Sequence, residues 1–196
     1  EGDRLAWVRL TSGEDQLIVA TRQGMAIRFN ETDARVLGRT ARGVRALNLE
    51  EDDIVVGMVP VMENTTVLTV SENGQGRRTD PAEYRLQSRG GKGIKNYDTQ
   101  KNGPVAGVLA VGEEDDVILI SDDGIIIRIP VAEISTQSRY AGGVRVMRVG
   151  EGSRLVSLCR APHEDEEEAV AESEAPAEAE TPAEETADST ETPVAE

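Results

Sequence analysis

The chain has 196 residues, 38% of them hydrophobic, enough for one ordinary domain or a little more; aromatics are only 3%, so its core must be Val, Ile and Leu. No apolar run approaches the ~18 residues of a membrane-spanning helix, and no signal peptide is visible at the N-terminus; the single cysteine, Cys159, excludes an internal disulfide and fits a reducing, cytoplasmic setting. The net charge of −16 is lopsided: residues 164–196 carry fourteen acids and no Lys or Arg, leaving 23 acids against 21 bases in a nearly neutral body.

Along the chain a pattern restarts every fifty residues, and such repeats decide the fold before any single element does. The first unit has an apolar stretch from Leu5, a turn "RQG" (22–24), Arg28, the loop "LGRTARG" (37–43) and Arg45. The second restarts at Val55, with the turn "ENG" (72–74), Arg78 and the loop "QSRGGKG" (87–93). The third is the plainest. It runs through "VAGVLAV" (105–111), the β-branched "DVILIS" (116–121), the tight turn "DDG" (122–124) and "IIIRI" (125–129). The segment "PVAEIS" then suits one helical turn begun by Pro130, followed by "QSRYAGG" (137–143) and "VRVMRV" (144–149). "LVSLCR" (155–160) opens a further unit.

Four short antiparallel strands per fifty residues predict an all-β fold of β-propeller or β-pinwheel blades. The expected blades are 5–54, 55–104 and 105–154, with a closing strand at 155–160, in a domain over 1–162. Residues 163–196, rich in Glu, Ala, Pro and Thr, are expected to form a disordered acidic tail. The chain begins with Glu1 rather than Met, and three blades rarely close a ring, so upstream blades are expected in a longer protein.

Four columns through the loop are basic in ten of twelve places: Arg35, Arg85, Ser135; Arg39, Arg89, Arg139; Arg42, Lys92, Gly142; Arg45, Lys95, Arg145. Windows 35–45 and 85–95 contain no acid. A column in a repeating fold is a row in space, so these residues predict a positive band that the net charge hides. Gly90, Gly91 and Gly93 are expected to take positive φ and let backbone N–H groups cradle a phosphate. Without interleaved aromatics the band suits a duplex backbone better than single strands. Sequence readout should be poor and affinity salt-dependent. Arg28, Arg78 and Arg128 lie inside the third strand; they either join the band or pair structurally with a carboxylate such as Asp33, Glu83 or Glu133. Tethered acids in the tail are expected to compete with DNA for the band.

The fifty-residue blades, "QSRGGKG", "TSGEDQLIVATRQG" and "EISTQSR…GVRVMRVGEG" resemble the C-terminal region of the DNA gyrase A protein, over residues 1–163, with the acidic tail also typical of that protein's end. The resemblance implies the last blades of a six-bladed β-pinwheel that wraps duplex DNA and biases strand passage toward negative supercoiling. The family's hallmark loop reads QRRGGKG or close to it and lies in its first blade. Gln87, Arg89, Gly90, Gly91, Lys92 and Gly93 match it and Ser88 departs, so 87–93 reads as a degenerate copy. The resemblance further implies two partners in an A2B2 assembly, gyrase B and the N-terminal part of the gyrase A protein itself, in the bacterial cytoplasm and on the nucleoid. Catalysis would lie outside this chain, with ATP and Mg used through gyrase B, so Tyr84, Tyr97 and Tyr140 are not catalytic candidates. The C-terminal domain of the topoisomerase IV A protein, or a propeller used as a protein-interaction module, are the alternatives.

The sequence offers little other chemistry. A lone His163 at the start of the tail reads as solvated, and Cys159 in an apolar strand as core. The two "EEDD" clusters (50–53 and 113–116) read as solvated turns or a divalent-cation site. No phosphate loop or dinucleotide fingerprint is present.

Overall fold

A computed structural model describes residues 5–163; the expected acidic tail lies outside the described residues except for His163. The strands are β1 (Gln16–Thr21), β2 (Met25–Asn30), β3 (Val55–Val61), β4 (Thr66–Ser71), β5 (Gln75–Thr79), β6 (Ile94–Lys95), β7 (Val105–Val111), β8 (Asp115–Ser121), β9 (Ile126–Pro130), β10 (Val144–Arg145) and β11 (Leu155–Pro162). Single 3-10 turns follow the third strand of each unit, at Glu31–Asp33, Pro81–Glu83 and Val131–Glu133, and a short helix spans Thr99–Asn102.

The sheets straddle the fifty-residue units. Strand orders are β3-β1-β2-β6, β10-β5-β4-β7 and β11-β8-β9. Each hairpin (β1–β2, β4–β5, β8–β9) therefore takes its inner partner from the next unit's first strand, and the first two hairpins also take the next unit's short last strand. All these pairings are antiparallel. Residues 5–15 form no strand, although their equivalents are β3, β7 and β11, and Val44 and Arg45 form none, although theirs are β6 and β10. Among the described residues no hairpin precedes β1 for either to join. Among the described residues the third sheet has three strands, and Ile125 and Ile126 at its β9 edge are 45% and 64% exposed.

The last strand is far shorter than the 144–149 expected. The N–H groups of Val146 and Met147 both donate to the Gly74 carbonyl, at 2.9 and 3.1 Å, and those of Asn96 and Tyr97 both donate to Gly24 at 2.7 and 3.0 Å. Two successive donors converging on one acceptor leave strand geometry, so the ladder ends there.

Because successive side chains of a strand point to opposite faces of its sheet, residues of alternate parity feed different cores. Ile18 and Ala20 pack with Val67, Tyr84, Tyr97 and Val105 in one cluster, while Leu68 and Val70 pack with Val117, Leu119, Ile134 and Leu155 in the next. Leu17, Val19, Ile27 and Phe29 form a third cluster closed by Leu47. Stacking sheets face to face is what buries both sides of strands this apolar. Along the inner edge, small meets large: Gly57 lies against Val108 and Gly107 against Leu158. Among the described residues no further strand covers β11, and Cys159, expected in the core, is exposed.

Candidate nucleic-acid interface

The loops carrying the basic columns are fixed by bonds between units. After β2 and β5, the chain of the next unit runs alongside: the Gln87 N–H donates to Arg28 O at 3.0 Å, and that of Gln137 to Arg78 O at 2.8 Å. The loop then doubles back through glycine. Gly90 and Gly93 have φ of +83° and +77°, a region open to glycine without penalty. Gly91 is not among the positive-φ glycines. A Cβ on Gly93 would strike the Ala26 carbonyl, so this glycine is needed for contact with the neighbouring hairpin. The Gly90 N–H donates to Ala46 O at 2.6 Å and Gly91 O accepts from Asn48 N at 2.8 Å. The expected phosphate cradle is thus reduced: the Gly90 amide is already spent on the protein's own backbone.

The four basic columns divide by role. Arg35, Arg39, Arg42, Arg45, Arg85, Lys92, Lys95 and Arg145 are exposed or half-buried, and Arg89 and Arg139 are half-buried. Arg89 donates to Asp33 O at 2.8 Å and to Arg45 O at 3.1 Å. Arg139 makes the equivalent bond to Lys95 O, and its backbone N–H donates to Glu83 Oε2 at 2.7 Å. These two arginines clamp each loop to the preceding one. Lys92 approaches Glu50 at 3.6 Å, Lys95 approaches Asp98 at 3.4 Å, and Arg45 reaches Asn48 at 3.4 Å. Such exposed pairs are worth little and exchange readily for a stronger anion. Arg35, Arg39, Arg42, Arg85 and Arg145 make no side-chain hydrogen bond or ion pair among the described residues.

The clamps also regroup the ladder. Arg89 of the second unit is bonded to Arg45 O of the first, and Arg139 of the third is bonded to Lys95 O of the second, where Arg85 lines the same cleft. Positive charge is concentrated at the junctions between units. At the second junction Glu83, Arg85, Ile94, Lys95, Arg139 and Tyr140 line a cleft of about 400 Å³. Tyr140 is 76% exposed, with the Arg139 guanidinium stacked 4.5 Å from its ring centroid. An aromatic does therefore stand on the band, contrary to the reading of the sequence. Its signal was present as the one large side chain in the column Thr40, Gly90, Tyr140.

The third-strand arginines are structural, but with other partners than expected. Arg28 donates to Gln16 and to Pro81 O and Tyr84 O. Arg78 pairs with Glu113 and donates to Ile134 O at 2.5 Å. Arg128 pairs with Asp116 at 2.7 Å, and His163, expected to be solvated, lies 2.7 Å from the same carboxylate. Burial alone would raise the Asp116 pKa; hydrogen bonds from His163 and Arg128 outweigh it and hold the pKa below its usual value. Sequence reasoning missed Arg77, which is fully buried in a column otherwise occupied by Ile27 and Ile127. It donates to Thr79, Asn96 O and Arg139 O and stacks 4.8 Å from the Tyr97 centroid. Desolvation lowers its pKa. Among the described residues no group of three or more His, Cys, Asp or Glu is placed to hold a metal ion.

Antiparallel blades stacked face to face, linked by strand exchange and edged with basic loops, make this a β-propeller domain. Residues 15–62, 65–111 and 115–158 match the family described as DNA gyrase C-terminal domain, beta-propeller, and the chain belongs to that family. It is 46% identical over 77 residues to the DNA gyrase A protein of Aminobacterium colombiense, a stretch covering 39% of this chain and 9% of that one. Against the DNA gyrase A protein of Staphylococcus aureus it is 46% identical over 79 residues, 39% of this chain and 9% of the relative. The chain thus matches only a small part of these relatives' length. A solved DNA gyrase A C-terminal domain superposes with a TM-score of 0.69 at 32% identity, over 75% of this chain and 50% of that one. The C-terminal domain of DNA topoisomerase IV shares the fold, with a TM-score of 0.74 at 24% identity, over 84% of this chain and 52% of that one.

Proposed function

We propose that the chain binds the backbone of duplex DNA along its basic junctions and bends the duplex around the blades, as the C-terminal part of a DNA gyrase A protein. The observation that carries the reading is a set of arginines, Arg35, Arg39, Arg42, Arg85 and Arg145, exposed at recurring loop positions and without side-chain partners among the described residues. Cations on successive blades, with no recognition helix among them, fit a partner whose charge repeats and whose sequence is not read. Family membership supports the same reading. In it, the wrap biases strand passage toward negative supercoiling by an A2B2 assembly with gyrase B, in the bacterial cytoplasm and on the nucleoid. In this reading ATP and Mg are used through gyrase B.

The test is a salt titration of binding by the full chain to duplexes of about 20 and about 80 base pairs. If about five cations each neutralise a phosphate, log K falls against log salt with a slope of about −4.5, and the longer duplex binds tighter. Changing Arg35, Arg42 and Arg85 to Glu weakens binding at least ~100-fold at low salt, without loss of fold, because none of the three side chains bonds another described residue. Weak, length-independent binding, or a folded triple variant with unchanged affinity, refutes the reading.

A further inference from the structure

The second junction differs from the first in one respect that charge does not explain. The equivalents of Arg85, Lys95 and Arg139 are Arg35, Arg45 and Arg89, so both junctions carry three cations. At the first, Gly90 occupies the position that Tyr140 holds at the second. Tyr140 is not there to fill the core: Tyr84 and Tyr97 are 0% and 1% exposed, whereas Tyr140 is 76% exposed. Its ring is nevertheless held in place. Arg139 stacks on it and donates from Nη2 to its hydroxyl at 2.8 Å, while the same guanidinium is anchored to Lys95 O. An aromatic fixed beside cations and left open to solvent has the form of a contact surface rather than of packing.

On this basis, and resting on the DNA-binding reading above, we propose that Tyr140 is a deoxyribose contact. Its ring lies against the sugar of a duplex strand, while Arg85 and Lys95 hold the adjoining phosphate in the cleft. The cleft's chemistry fits that ligand. Arg85 has no side-chain partner among the described residues, and Lys95 gives up only a pairing with Asp98 at 3.4 Å. Glu83 forms the acidic end of the cleft and is bonded to the Arg139 N–H, so an anion is directed toward the Arg85 and Lys95 side. The phenol ring is amphipathic, with an apolar face for the sugar and a hydroxyl already bonded to Arg139. This junction then fixes the position of the strand on the rim, where the first junction supplies charge alone.

The full chain labelled with 3-fluorotyrosine tests this directly. Three tyrosines give three fluorine resonances, and Tyr140→Phe identifies the one of interest; the buried Tyr84 and Tyr97 serve as internal references. Titration with a 40-base-pair duplex, followed in parallel by anisotropy, should shift the Tyr140 resonance with the midpoint of binding and leave the other two in place. Tyr140→Gly, the residue the first junction carries, should weaken duplex binding about fivefold with the salt slope unchanged, because no phosphate contact is removed; Tyr140→Phe should bind within about twofold of the parent. A Tyr140 resonance that does not move at saturating duplex overturns the sugar contact while leaving the DNA-binding reading intact. A larger response to an oligothymidine single strand than to duplex overturns it in favour of base stacking. Absence of duplex binding by anisotropy refutes the function and this inference with it.

Discussion

Arg28, Arg78 and Arg128 share a column, yet each is satisfied differently, and the reason lies twelve residues earlier. Gln16 and Asp116 face Arg28 and Arg128 across their hairpins at 2.8 and 2.7 Å, but the equivalent residue in the middle unit is Thr66, and Arg78 reaches Glu113 instead. Spacing marked these residues as alike; the partner each finds depends on cross-strand register, which spacing does not encode. Asp116 is the most enclosed of these acids. Its pKa is lowered, so its stabilising contribution is present above the unfolded-state value of about 3.9 and is lost as pH falls through the folded value. Glu113, whose pKa is lowered by the hydrogen bond and charge of Arg78, acts in the same sense. Asp116→Asn should therefore cost about 2 kcal/mol near pH 7, and the difference from the parent should shrink as pH drops below about 4. Thermal unfolding of both proteins from about pH 7 to about pH 2.5 gives the comparison; a difference independent of pH would assign the loss to shape rather than charge.

Hairpin turns make the case for elements. Gly24, Gly74 and Gly124 have φ of +83°, +74° and +84°, and a Cβ on the first two would collide with the Tyr97 and Met147 carbonyls. Among the described residues nothing lies within 4 Å of a Cβ on Gly124, and no last strand joins β9. Gly124→Ala should cost only the left-handed backbone penalty, about 1 kcal/mol, and Gly74→Ala about 2 kcal/mol more from displacing the docked strand. Urea denaturation of the two variants measures this, and equal losses would contradict the strand exchange. That exchange was not legible in the sequence. A last strand that pairs with its own hairpin and one that pairs with the preceding hairpin leave the same fifty-residue periodicity, since every copy is equivalent. The period, the hairpins, the turn glycines and the basic loops were legible, because each depends on residues near one another in the chain. The clamps of Arg89 and Arg139 were not, because their acceptors are backbone carbonyls forty-four residues away and carry no side-chain signature.

At the scale of the whole molecule, the uneven charge becomes a property of binding. The body carries 23 acids and 21 bases, while residues 164–196 carry fourteen acids and no Lys or Arg, and they are covalently attached to a domain whose cations cluster at its junctions. Attachment matters more than sign. A tethered polyanion is present at an effective concentration of the order of millimolar whatever the protein concentration, so on the DNA-binding reading it is expected to compete with DNA phosphate without being diluted away. The competition is electrostatic and is screened over about 10 Å at 0.1 M salt. Changing the tail's glutamates and aspartates to their amides leaves chain length and tether intact. The amide variant should then bind duplex about tenfold tighter than the parent at about 50 mM salt, with the gap narrowing as salt rises. Its plot of log K against log salt should be the steeper of the two, because a parent tail that competes in this way would serve as a resident counterion and leave fewer small ions to release. Equal affinities at low salt would mean that the tail's charge does not reach the band. Parallel salt dependences with a constant gap would instead show the amides altering the blades themselves.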